Sequence, residues 1–287
     1  MRAETREIKN KVSVGNGVAK FFSYAVLTIG AIFVIVPFLY GFLVSVKSSS
    51  DAMSTTILPR EWHFENYAYV LQNTTMPRAF LNTMIYILPP MIVGVLTSAM
   101  AAYAFARLYF PGKNVIFSVM FSTIVIPGIM LLVPSYIVFS KFYGWAGTAL
   151  PIMVPGMFGS VMVMFYLRQF IRTIPKQLEE AALLDGMNKG RIFMSIIIPL
   201  IRPALIAQFI LSFNGAFNDL VGPLMYLGTN QNLYTVQLVI NSLNTAYGAQ
   251  IELLLSASFL ALVPTFILFA VAQNYFVEGI AMSGLKG

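Results

Sequence analysis

The 287-residue chain has no cysteine, one histidine and two tryptophans. Without cysteine there can be no disulfide, thiolate metal centre or cysteine nucleophile, and the redox compartment stays open. The lone histidine, His63, falls in a hydrophilic stretch and reads as a solvated surface residue, because metal sites cluster their ligands. Charge is scarce too. Asp, Glu, Lys and Arg make up 10% of the residues, against about 25% in an ordinary globular protein. The sequence has no His-Glu-x-x-His, no Gly-x-Ser-x-Gly and no Gly-x-x-x-x-Gly-Lys-Ser/Thr phosphate loop. No catalytic residue and no metal ligand is therefore expected, and no cofactor bound by this chain.

What the chain does have is apolar length. Hydrophobic residues make up 58% of it and the mean hydropathy is +0.77, so most of its solvent is lipid. A spanning helix needs about 20 mostly apolar residues. Six runs qualify: Phe21–Val46, Thr83–Ala106, Val115–Ser140, Ala149–Leu167, Ile196–Phe217 and Leu253–Ala272. None alternates in polarity as a barrel strand would, so the fold class is all-α and polytopic with six transmembrane helices. The first run is longer than the roughly 7–15 residues of a signal core and no small-x-small site follows it, so no cleaved leader is expected.

The net charge of +7 does not point to nucleic acid, since the basic residues lie between the apolar runs and form no arm. They fix an orientation instead. With both termini cytoplasmic, fourteen of the 18 lysines and arginines fall inside, leaving Lys47, Arg60, Arg78 and Lys141 outside. The expected organisation is a cytoplasmic segment 1–20, a six-helix domain 21–276 with a cytoplasmic loop 168–195, and a cytoplasmic tail 277–287.

Prolines interrupt most runs: Pro37, Pro89 with Pro90, Pro127 with Pro134, Pro203 and Pro264. They are read as ordinary membrane-helix irregularity, with bent helices around a gated path as the other reading. Ser98, Ala102 and Ala106, beside Ala99 and Ala101, form a small-residue face suited to close helix packing within the chain.

The long cytoplasmic stretch after the fourth run suggests a short helix of about three turns. Thr173 is the expected cap, Pro175 the first turn, Glu179 and Glu180 the anion-favouring end, and Gly186 the left-handed stop. Leu178, Ala181, Ala182 and Asp185 share one small, flat face. From the physics alone two readings stand: a face that docks on another protein, and a membrane-surface connector.

The same residues carry a resemblance. Glu180-Ala181-Ala182, Asp185-Gly186, Phe193, Ile198-Pro199 and Pro203 look like the "EAA" loop of ABC importer permease subunits. Glu65-Asn66-Tyr67, Ala101 through Arg107 with Phe110 to Lys113, Phe217-Asn218-Asp219 with Pro223-Leu224, and the end from Tyr275 are similar to maltose-type sugar permeases. Phe217 stands where that family commonly has tryptophan, and Ile280-Ala281-Met282-Ser283 departs from its usual Thr-Ala-Gly-Ala. The resemblance implies a type I permease fold in a bacterial inner membrane. It implies an ATPase-docking helix at Leu178, Glu179, Glu180, Ala181, Ala182, Leu183, Asp185 and Gly186, and an ATPase-contacting tail at Gly284, Leu285, Lys286 and Gly287. It also implies a second six-helix permease subunit, two ABC ATPase subunits using ATP and Mg, an extracytoplasmic solute-binding protein, and a sugar or oligosaccharide substrate.

For the substrate path the candidates are Gln208, Asn214, Asn218 and Asp219, polar residues near the outer end of the fifth run with Phe213 and Phe217 among them. The bland reading has Asn218 and Asp219 capping that span. The uncharged outer segment 222–250 is expected to pack at the outer mouth. Three rival functions remain: a related permease for a polyamine or phosphonate, an integral-membrane transferase, and a stand-alone channel or secondary transporter. The second rests on Asp185-Gly186 with Gly190-Arg191, which lacks converging carboxylates.

Overall fold

The structure, a computed structural model, describes residues 2–246 and 250–284, with side-chain surroundings for 19–244 and 250–273. Among the described residues there is no strand. The helices are α1 (Arg2–Ser45), α2 (Ser49–Ala52), α3 (Glu65–Asn73), α4 (Met76–Arg107), α5 (Lys113–Ser122), α6 (Leu132–Ile137), α7 (Leu150–Met157) and α8 (Val161–Thr173). They continue as α9 (Gln177–Leu184), α10 (Lys189–Ile192), α11 (Ile198–Leu200), α12 (Arg202–Phe217), α13 (Val221–Tyr226), α14 (Val236–Ala246) and α15 (Ile251–Gly284).

Four segments are long and apolar enough to cross a bilayer: Ala19–Ser45, Met76–Arg107, Leu150–Thr173 and Ile251–Gln273. The other two of the six expected spans are bent pairs. Lys113–Val125 meets Gly128–Phe142 at 92°, and Lys189–Leu200 meets Arg202–Phe217 at 75°. The prolines thus divide into two groups. Pro37, Pro89, Pro90 and Pro264 sit inside unbroken helices. Pro127 sits at the first break, in extended backbone, where its missing N–H removes a rung of the helix ladder. The second break falls at Ile201, just before Pro203. At the domain boundaries, α1 runs through residue 20 and α15 through residue 277 without a break.

The spine is α4. It packs along α7, α8 and α12, while α15 packs on α1, α3, α12 and α14. The small-residue face does what was expected of it: Ser98, Ala99 and Ala102 are buried, and the Ser160 N–H donates to Ser98 Oγ at 2.9 Å. One turn earlier the approach is tighter still. A Cβ on Gly94 would lie 2.3 Å from the Gly156 carbonyl oxygen, so only glycine fits there. One core cluster joins Ala102, Met164, Leu167 and Ile171 to Ile192 and Ile197 at the end nearest α9. A second joins Val70, Met76, Phe213 and Phe217 to Val239 and Ala257 at the opposite end. In the outer segment, α14 buries Val236, Leu238, Val239 and Leu243.

The connection between α1 and α3 is a polar knot. Lys47 is fully buried, and its ammonium donates to the Thr56 carbonyl. Asp51 accepts from the Arg60 N–H at 3.0 Å, Ser54 Oγ at 2.9 Å and Thr56 Oγ1 at 3.2 Å. His63 lies at the surface, as expected, but it is held there. It is partly buried, its N–H donates to the Val46 carbonyl, and its Nδ1 lies 2.5 Å from Glu65 Oε1.

Candidate functional site: a latched surface helix and two cavities

The expected short helix exists as α9, eight residues and about 12 Å long. It is two turns rather than three, because the N-terminal boundary was misplaced. Thr173 is the last residue of α8, its hydroxyl donating back to the Phe170 carbonyl at 2.8 Å, and Pro175 lies in the link between the helices. Lys176 holds the cap position without a side-chain cap. The C-terminus falls where it was expected. Gly186 has φ +78°, its N–H donates to Leu183 O at 3.0 Å, and the Met187 N–H donates to Ala182 O at 2.9 Å. Those two bonds form the glycine-terminated stop that satisfies the last carbonyls.

The docking face needs correcting. Ala182 is buried in this chain's own core beside Ile171, Ile174 and Ile192. Glu179, one turn earlier, also points inward. Its Oε1 lies 2.6 Å from Arg107 Nε, and its Oε2 accepts from Tyr103 Oη at 3.2 Å. Both charged side chains are nearly sealed, at 5% exposure for Arg107 and 6% for Glu179. Arg107 also donates to the carbonyls of Ile171 at 2.8 Å and Ile174 at 2.5 Å, the last turn of α8 and the link beyond it. One guanidinium therefore ties together the ends of α4, α8 and α9. Removing one member of such a pair strands the other charge in the core, at a cost of about 3–5 kcal/mol.

With Glu179 and Ala182 turned inward, the outer face of α9 is Leu178, Glu180, Ala181, Leu184 and Asp185, with Leu183 at its edge. Leu184 is 89% exposed, the most accessible large apolar side chain of this helix, and the sequence reading omitted it. It also missed Tyr103 and Arg107 as anchors. The available signal was an aromatic and an arginine four apart, on one face of a span's last turns.

The polar residues proposed for the path are separated by the fold. Asn214 and Asn218 line a cavity of about 450 Å³ between α1, α12, α14 and α15, with Phe38, Gln237 and Phe259. There Asn218 Nδ2 donates to Asn214 Oδ1 at 3.0 Å, and Gln237 Nε2 donates to Asn218 Oδ1 at 3.2 Å. Three amides thus form a chain, and among the described residues no charged one lines this cavity. Asp219 opens into a different cavity of about 280 Å³, shared with Ser98, Ser160 and Ser212. It also accepts the Val221 and Gly222 N–H groups at 3.0 and 3.2 Å, capping α13. Gln208 is buried and lines neither. The expected shared face of Gln208 and Asp219 fails because α12 ends at Phe217. Gly284 closes α15, and Leu285, Lys286 and Gly287 lie outside the described residues.

A bundle of straight and broken apolar helices, with mainly apolar cavities that carry a few polar groups between them and a small helix latched at one end, defines a class: the membrane permease component of a larger transporter. The chain belongs to the family of binding-protein-dependent transport system inner membrane components, whose model matches residues 94–281. An osmoprotective compounds uptake permease protein of Synechocystis sp. is 31% identical over 271 residues, covering 91% of this chain and 90% of that protein. A diacetylchitobiose uptake system permease protein of Streptomyces coelicolor is 31% identical over 256 residues, covering 88% of this chain and 84% of that protein. A bacterial ABC transporter involved in the import of the acidic polysaccharide alginate superposes with TM-score 0.74 and 21% identity, over 90% of this chain and 96% of that one, so the fold is shared. The chain is a multi-pass permease subunit and not itself an enzyme.

Proposed function

We propose that this chain forms half of the translocation pathway for a sugar or oligosaccharide, in a receptor-dependent importer driven by ATP. α9 and both termini lie on the cytoplasmic side of a bacterial inner membrane. The other parts are a second six-helix permease subunit, two ABC ATPase subunits that use ATP and Mg, and an extracytoplasmic solute-binding protein. The observation that carries the reading is the outer face of α9: a rigid, two-turn platform with apolar residues pointing away from its own chain. Such a platform costs solvation unless something covers it.

The need for a second permease half has its own support. No residue from Thr123 to Phe142 is buried, and the backbone breaks at Pro127 within that stretch. Irregular backbone at membrane depth persists only where protein or water covers it. For the substrate, the amide chain with Phe38 and Phe259 supplies neutral hydrogen bonding and ring faces, which suit a polyhydroxylated neutral solute. The relative named for diacetylchitobiose agrees with that chemistry. The tail residues Gly284 to Gly287 are proposed to reach the ATPase as well.

The test is Ala181→Lys and Leu184→Lys, two outward positions that α9 does not need for its own packing. Each variant should insert and keep its thermal midpoint, yet lose co-purification of the ATPase subunits and ATP-dependent uptake. Full uptake in both would refute the docking role.

A further inference from the structure

A third cavity, of about 690 Å³, lies at the end of the bundle that carries α9. Its walls bring together Arg107, Lys113, Arg168, Arg172 and Lys176, and no Asp or Glu among the described residues lines it. Arg107 is neutralised by Glu179, which leaves four cations around one bowl. Among the described residues none of these four has a carboxylate partner.

Two of the four heads are held in place. The Lys113 ammonium donates to the Leu108 carbonyl at 2.8 Å, with two further N–H bonds to give. Arg168 Nε donates to the Phe105 carbonyl at 3.2 Å, and its guanidinium carbon lies 4.3 Å from the centre of the Phe117 ring. Arg172 and Lys176 are exposed at the rim. The bowl is therefore cationic and largely preformed, and four cations facing one another favour an anion between them.

Its level in the membrane follows from the chain. α4 ends at Arg107, the first bent pair begins at Lys113, and Leu150–Thr173 ends beside them. Three apolar segments stop at this depth, which places the bowl at the headgroup layer. From it α5 leads back into the bilayer with Val115, Ile116 and Val119 exposed along its side. A free phosphate ion would use the charges alone, whereas a phospholipid would use the charges and that apolar strip.

We propose that this bowl binds the phosphate group of an anionic phospholipid, with the acyl chains lying along α5. Because Arg107 forms part of its wall and Lys176 immediately precedes α9, an occupant would sit against the latch that holds the surface helix.

The experiment is native mass spectrometry of the whole assembled transporter, titrated with phosphatidylglycerol or with phosphatidylcholine. The wild type should retain phosphatidylglycerol in preference to phosphatidylcholine. Each lost cation should weaken retention about fivefold, so that the double variant Lys113→Gln/Arg172→Gln loses about 25-fold. The charge-preserving Lys113→Arg/Arg172→Lys should retain the lipid, and the intact mass of the complex reports folding in the same spectrum. Equal retention of the two lipids, or full retention by the glutamine variant, would overturn the proposal. So would displacement of the lipid by inorganic phosphate at equal concentration, which would mark a free-anion site. Loss of the ATPase subunits from the glutamine variant with lipid retention unchanged would assign the bowl to protein docking instead.

Discussion

Asp51 shows how one carboxylate holds a connection together outside the spans. The Arg60 N–H keeps its pKa below the ordinary 3.8, against partial burial, with help from the Ser54 and Thr56 hydroxyls and the Lys47 charge. A carboxyl whose folded pKa is depressed contributes stability above the unfolded value and loses it as pH falls through the folded one. Its contribution should therefore be intact above pH 3.8 and be lost progressively as pH falls from there through the lower folded value. Thermal unfolding of the purified protein should show Asp51→Asn less stable than wild type near neutral pH, with the gap closing in acid. A gap that never narrows as the pH is lowered below 3.8 would rule this out. His63 teaches a related point, since a histidine in a hydrophilic stretch still found a carboxylate two residues away, at Glu65.

At the scale of elements, the tightest demand is where α4 crosses the Gly156 turn of α7. Gly94→Ala would place a methyl group 2.3 Å from a backbone oxygen that cannot swing aside. Overpacking of this kind costs about 1–3 kcal/mol, and the small-residue contact around Ser98 should open with it. A lower unfolding midpoint, with normal membrane insertion, is the expected result; an unchanged midpoint would mean the crossing is looser than described. Helix positions were largely legible in the sequence, because apolar runs of spanning length have few alternatives. The breaks were not. Seven prolines interrupting the apolar runs look alike on paper, yet Pro127 breaks its span while Pro37, Pro89, Pro90 and Pro264 are absorbed by continuous helices. Likewise Gly186 announced the end of α9, whereas the inward turn of Glu179 depended on Arg107, more than seventy residues away in the chain. Periodicity names the residues that share a face; it does not say which face the core takes.

For the whole molecule, the proposed path is a cavity between helices that lie far apart in the chain. The cavity between α1, α12, α14 and α15 joins Asn214 and Asn218, which the sequence suggested, to Gln237, which only the packing of α14 brings near. If a polyhydroxylated solute passes here, Asn214→Ala with Gln237→Ala should raise the half-saturating concentration for uptake about tenfold, from two hydrogen bonds of ordinary strength. ATPase co-purification should be unaffected, and unchanged uptake kinetics would remove this cavity from the route. The break at Pro127 carries a consequence for biogenesis. If the proposed second half covers that elbow, a subunit made in excess of it would leave the break wrapped in fatty acyl tails, which offer irregular backbone no hydrogen bonds. Cells would then have reason to keep production of the two halves in step and to clear the orphan by proteolysis.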